Sequence, residues 1–168
     1  IAFVVIASAF SFMILSMGFQ TTQKSKEVIK SGLGEAASAM ELTGSVVAYK
    51  NPAGAYVGNV TIYVKLAAGR EPVDLSQTTT TVSFTAADRH DANIYDGTKC
   101  TIAKLIGDTD TILEYGEVFK IVIRLDSGGL NYNGLTANKW FIIEVKPPVG
   151  SSLAIKRNLP VAIDTVMD

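Results

Sequence analysis

The 168-residue sequence holds one cysteine and one histidine. A single thiol excludes an intrachain disulfide framework and a cysteine-rich zinc site. A single imidazole excludes a histidine-rich metal site and leaves one ring for acid–base chemistry. Charge is scarce as well: 18% of residues carry it, and 15 Lys and Arg nearly cancel 16 Asp and Glu. There is no basic excess to hold nucleic acid, so no nucleic-acid partner is expected. Nor is there an acidic surplus of the kind that keeps a tail disordered. These shortages lower the expectation of an enzyme, and no cofactor or metal is expected. The length allows one domain, or one domain plus a long extra element.

What the chain has in quantity is apolar surface: 48% of residues are hydrophobic, and the mean hydropathy is +0.27. Residues 1–19 read IAFVVIASAFSFMILSMGF, and no charge appears before Lys24. As a helix this run rises about 1.5 Å per residue, enough to cross a bilayer. It is apolar on every face, so lipid or other helices must surround it. The residues expected to pack in such surroundings are Ile1, Phe3, Val4, Ala7, Phe10, Ser11, Phe12, Ile14, Leu15, Met17 and Phe19. Ala7 and Ser11 have the small-xxx-small spacing that lets helix backbones approach closely. A basic leader is expected upstream of Ile1 and removed in maturation. Past the apolar run, Val28, Ile29, Leu33, Ala36, Ala37, Met40 and Leu42 keep near-helical spacing. The helix is therefore predicted over residues 1–45, with Gly44 as its stop and Gly32 and Gly34 as weak points.

From residue 46 to 168 the period changes to two. Segments 57–68, 78–87, 100–106, 111–115, 117–126, 138–148 and 152–159 are rich in β-branched residues. Turn signals such as Asp96-Gly97, Gly107-Asp108, Gly128-Gly129 and Asn133-Gly134 separate them. Strands spaced in this way predict an antiparallel β-sandwich, immunoglobulin-like, as a second domain. The predicted class is α+β.

Several local patterns invite a chemical reading and find a simpler one. Gly32-Leu33-Gly34-Glu35-Ala36-Ala37 fits the dinucleotide pattern G-x-G-x-x-A, which requires a strand before it; a polar helical segment precedes it here. His90 lies between Asp88 and Asp91 without a G-x-S-x-G nucleophile elbow, and reads as a loop histidine. Asp88, Asp91, Asn93 and Asp96 are hard oxygen donors, yet their spacing departs from the EF-hand loop, with Tyr95 in a ligand position. Cys100 in a strand reads as a buried thiol. Asn59-Val60-Thr61 is the single N-x-[ST] glycosylation sequon in the chain.

The order of the blocks carries a resemblance. Residues 1–33, with Gly18-Phe19, Thr21-Thr22-Gln23-Lys24 and Glu27-Val28, are similar to the N-terminal helix of archaellins, the archaeal flagellins of the type IV pilin superfamily. GNVTIYVKLAAGREPVDLSQT (58–78), GEVFKIVIRLD (116–126) and WFIIEVKPPVGSSLAIKRNLP (140–160) resemble that family's head strands, so the likeness runs through the chain. It implies a structural subunit that polymerises with itself into the helical archaellum filament for swimming. It further implies a precursor inserted in the cytoplasmic membrane, cut by a prepilin-type peptidase and added to the filament by the archaellum motor. The finished location would be the cell surface, outside the membrane, and the Asn59 sequon would then be a glycosylation site. An adhesive type IV pilin-like filament is the alternative.

Overall fold

The computed structural model describes residues 2–167, without the side chains of residues 31 and 33–37. Ile1 and the side chains of Leu33, Ala36 and Ala37, all expected on the helix, lie outside the described residues. The chain divides into two compact units, Ile1–Glu35 and Ala36–Asp168.

The first unit is one helix. Helix α1 runs Ala2–Ala37, and no proline interrupts it. Its stretch Ala2–Lys30 is long and apolar enough to cross a membrane. Several hydroxyls in it are satisfied by the helix itself. Ser8 donates to the Val5 carbonyl at 2.9 Å, Thr21 to Met17 and Thr22 to Gly18, each at 2.8 Å. This back-bonding lets polar side chains enter a dry environment without an unmet donor.

The helix ends eight residues earlier than its spacing predicts. Met40–Leu42 form strand β1, paired antiparallel with the 57–66 strand in the register Met40↔Leu66, Glu41↔Lys65 and Leu42↔Val64. Met40 and Leu42 satisfy a helical period, but they satisfy a period of two equally well. Pairing settles the choice: Met40 turns inward, and Glu41 turns outward to an ion pair with Lys65 at 3.0 Å. Gly44 is not a helix stop; it takes φ of +74° in the turn that follows β1, a conformation that glycine adopts without strain.

The second unit holds the remaining strands: β2 (Val47–Lys50), β3 (Val57–Leu66), β4 (Val73–Asp74), β5 (Thr81–Ala86), β6 (His90–Asp91), β7 (Cys100–Ile106), β8 (Ile112–Leu113), β9 (Val118–Arg124), β10 (Trp140–Lys146), β11 (Leu153–Asn158) and β12 (Val166–Met167). All described pairings are antiparallel. One sheet has the order β12-β2-β3-β9-β7, with β1 also on β3; a second has β11-β10-β5-β6; β4 and β8 form a short ribbon.

Strands β5, β9 and β10 alternate buried and half-exposed residues along their length. That period-two burial places Val82, Phe84, Ile121, Ile123, Phe141, Ile143 and Val145 in a single core shared by the two larger sheets. Each predicted strand segment contains an observed strand, and the sandwich is the architecture that the alternation implies. The short strands β1, β2, β4, β6 and β12 carry too few residues to announce a period.

The turn before β7 gives a pH-dependent element. The Asp96 carboxylate accepts the N–H groups of Thr98 at 2.8 Å and Lys99 at 2.7 Å, and pairs with the Lys99 ammonium at 3.1 Å. The Lys99 backbone bond is the largest of the effects that hold its pKa down to about 2. A depressed carboxylate adds stability above the ordinary pKa of about 4, and loses it as pH falls toward 2. The expected result is that Asp96→Asn lowers the head's stability modestly at neutral pH and converges with wild type as pH falls toward 2, so that the acid limb of the pH–stability curve is flattened. Denaturant melts at stepped pH check it.

Candidate assembly surface

Apart from Ile1, which lies outside the described residues, the candidate packing residues lie on α1 and are exposed there. Phe3 is 84% exposed and Phe12 75%. Val4, Ala7, Phe10, Ser11, Ile14, Leu15, Met17 and Phe19 are exposed as well. An isolated chain in water would present this whole surface to solvent at a cost of about 25 cal/mol per Å² of apolar area. Exposed apolar surface of this extent marks an interaction face.

At 100° per residue, a consequence of 3.6 residues per turn, the side chains sort into stripes. Phe3, Phe10 and Met17 recur at intervals of seven residues and form one ridge. Phe12 and Phe19, in line with Val5, form a second ridge about 160° away around the axis. Between the ridges, Ala7, Ser11 and Gly18 make a shallow strip, and a Cβ added at Gly18 would meet nothing within 4 Å. Bulky ridges on nearly opposite sides, separated by a small-residue strip, fit a helix with neighbours on several sides rather than one. That geometry suits the interior of a many-helix bundle.

The head's reactive-looking groups are occupied structurally. The Asp88 carboxylate accepts the Tyr132 hydroxyl. Arg89 donates to Asp91 at 2.6 Å, His90 Nδ1 lies 2.8 Å from the Thr85 hydroxyl, and Asn93 Oδ1 accepts the Tyr95 N–H at 3.1 Å. Asp88, Asp91, Asn93 and Asp96 thus serve separate local bonds. Among the described residues no group of three or more His, Cys, Asp or Glu converges as a metal site. Cys100 is fully buried, and burial pushes its thiol up to about 12, so the reactive thiolate is suppressed. Gly32-Leu33-Gly34-Glu35-Ala36-Ala37 continues α1 and follows no strand.

Asn59 sits within β3, between Tyr49 of β2 and Arg124 of β9. Its neighbour Val60 points into the core, so Asn59 lies on the outer face, half-buried. Its Oδ1 is buried and has no hydrogen-bond partner. Sequence spacing did not reveal this placement in a central strand, since the sequon carries no information on the number of neighbouring strands.

Comparison with known proteins agrees with this division into apolar helix and β head. The chain is 35% identical to probable flagellin 1 of Archaeoglobus fulgidus, with 99% of this chain and 88% of that protein aligned. It is 36% identical to probable flagellin 1 of Aeropyrum pernix, with 98% and 89% aligned. Among solved structures it superposes on the archaeal flagellum of Methanospirillum hungatei strain JF1 with a TM-score of 0.71, at 30% identity, covering 96% of this chain and 89% of that one. Archaeal flagellin FlaB1 of Methanocaldococcus jannaschii shares the fold, with a TM-score of 0.65 at 13% identity over 78% of this chain and 96% of that one. Residues 1–157 match the profile of the archaeal-type flagellin family, and the chain belongs to that family.

Proposed function

We propose that this chain is the repeating structural subunit of an archaeal swimming filament, the archaellum, with α1 in the filament core and the β head in its outer wall. The observation that carries this reading is a helix apolar on every face, with bulky ridges on nearly opposite sides and no cover within its own chain. Family membership and the likeness to a solved archaeal flagellum support it. The subunit acts through shape and surface and turns over no substrate.

Before assembly, α1 holds the precursor in the cytoplasmic membrane. A prepilin-type peptidase removes a basic leader, and the archaellum motor then draws subunits from lipid into the growing filament. Lipid and helix side chains are similarly apolar, so exchanging one for the other costs little, and close packing decides the outcome. Return to water would expose the apolar surface, which makes the filament persistent. Head-to-tail contacts that do not close extend the polymer without limit. The finished filament lies outside the cell.

Outside the cell the Asn59 sequon becomes available for an N-glycan, attached before β3 closes between its neighbours. Peptide mass spectrometry of filament protein is expected to show a glycan on the Asn59 peptide and none in Asn59→Gln. An unmodified wild-type peptide contradicts the assignment.

Deleting the gene tests the function itself. Swimming is expected to stop while surface attachment persists, and sheared preparations are expected to lose the filament. Retained swimming with lost attachment would identify an adhesive filament instead.

A further inference from the structure

The head carries two exposed apolar patches, at opposite edges of its larger sheet. The first lies at the β7 edge. Leu105 and Ile106 are each 57% exposed and Tyr115 78%, with Ile112 exposed beside them. A single buried carboxylate gathers this patch: Glu117 accepts the N–H of Asp108 and that of Glu114, each at 3.0 Å. Gly107 allows this approach, since a Cβ there would sit 2.1 Å from Glu117 Oε1 and its φ is +139°. Ile106, two residues before Asp108, and Tyr115, next to Glu114, are therefore held at the two turns that Glu117 joins. The second patch lies at the β12 edge, where Val166 and Tyr49 are cross-strand partners, both exposed, with Val161 on the preceding loop.

Strand β7 is not built to accept another strand. Its register slips between Lys104 and Ile106, a bulge at Leu105. Lys104 is tucked in, its ammonium 5.3 Å from the Phe119 ring centre and 3.0 Å from Asp108. A bulge and an inward lysine on an edge both oppose strand-to-strand pairing. Apolar side chains displayed on a blocked edge fit side-chain packing instead.

Charge separates the two patches. Asp108, Asp110 and Glu114 rim the β7 patch, outnumbering Lys104, which pairs with Asp108 at 3.0 Å and Asp110 at 3.8 Å, whereas exposed Lys50 and Arg157 lie toward the β12 edge and outnumber Asp164 there. We infer that the β7-edge patch of one subunit docks on the β12-edge patch of a second copy of this chain, a head-to-head-wall contact that runs one way along the filament. Unlike patches on opposite edges form a heterologous, non-closing contact, which a polymer can repeat indefinitely. The opposed rims favour this pairing over like-with-like. The inference rests on the filament reading above.

The test uses filaments of the full chain. Tyr115→Cys and Val166→Cys are made singly and together, and sheared filaments are treated with a short bis-maleimide. The double variant is expected to give a ladder of multimers and each single variant monomer alone, with Cys100 silent in its buried position. Filaments of the double variant without a ladder overturn the docking and leave the filament reading standing. Dimers from a single variant overturn it too, because like edges would then be meeting. If the cysteine variants fail to polymerise, Leu105→Asp decides. It is expected to shed subunits on heating about tenfold faster than wild type, with head unfolding unchanged, and equal shedding overturns the inference. Wild-type chain that forms no filament removes both this contact and the reading beneath it.

Discussion

Phe12→Lys is expected to abolish filaments while leaving the head folded. Phe12 is 75% exposed on the helix of the single chain, so nothing within the chain depends on it. It shares a ridge with Phe19, and in the assembly proposed above its surroundings would be other copies of α1. A lysine there must bury an ammonium without a partner, which costs at least several kcal/mol. Every 1.4 kcal/mol is tenfold in an equilibrium, so filament mass is expected to fall by about 100-fold or more. Ala7→Glu, in the small-residue strip, is expected to behave alike. Phe12→Leu keeps an apolar ridge and is expected to assemble. Electron microscopy of sheared fractions reads the filaments, and denaturant melts of detergent-solubilised chain read the head. Normal filaments from Phe12→Lys would mean that this face of α1 does not enter the core.

Phe84→Ala is expected to do the reverse. Phe84 is fully buried in β5. Its ring meets Tyr132 edge-on at 6.0 Å between centroids and lies nearly parallel to Phe141 at 6.4 Å. Removing a ring from such a site leaves a cavity and costs about 3–5 kcal/mol. Domains commonly hold about 5–15 kcal/mol in total, so the head loses a large share of its stability. The denaturation midpoint is expected to drop accordingly, while α1 keeps its helical signal in detergent. A midpoint within error of wild type would show that Phe84 does not anchor the two sheets. The two variants thus separate the two units: one removes assembly without unfolding the head, the other destabilises the head without touching the helix surface.

The sequence showed these units unequally. The helix start was plain, because more than twenty residues without charge allow few other readings. The long strands were plain for the same kind of reason: Val82, Phe84 and Ala86 alternate with Thr81, Ser83 and Thr85 over enough residues to reveal their period. The helix end was not. Met40 and Leu42 serve either period, and only pairing with Leu66 and Val64 in space decides between them. The candidate assembly residues stand out as a group in the sequence because an all-apolar surface needs a cover, and the structure shows those it describes exposed on α1. Their sorting into two ridges and a small strip needed the helix itself. The head patches were invisible in the sequence. Leu105 and Ile106 look like core residues in a β run, and their exposure follows from the slip in register at the end of β7. Glu117, which binds the backbone of two separate turns, had no local signal, because its partners are defined by folding.

The central claim is that α1 forms the interior of a polymer and the β unit its wall. Cryo-electron microscopy of filaments sheared from cells that make this chain tests it most directly. The account predicts a solid core of closely packed helices, with Phe3, Phe10, Phe12 and Phe19 in contact with neighbouring copies, beneath a continuous layer of β heads. A chain found as a monomer in the membrane fraction, with no filament containing it, would contradict the account.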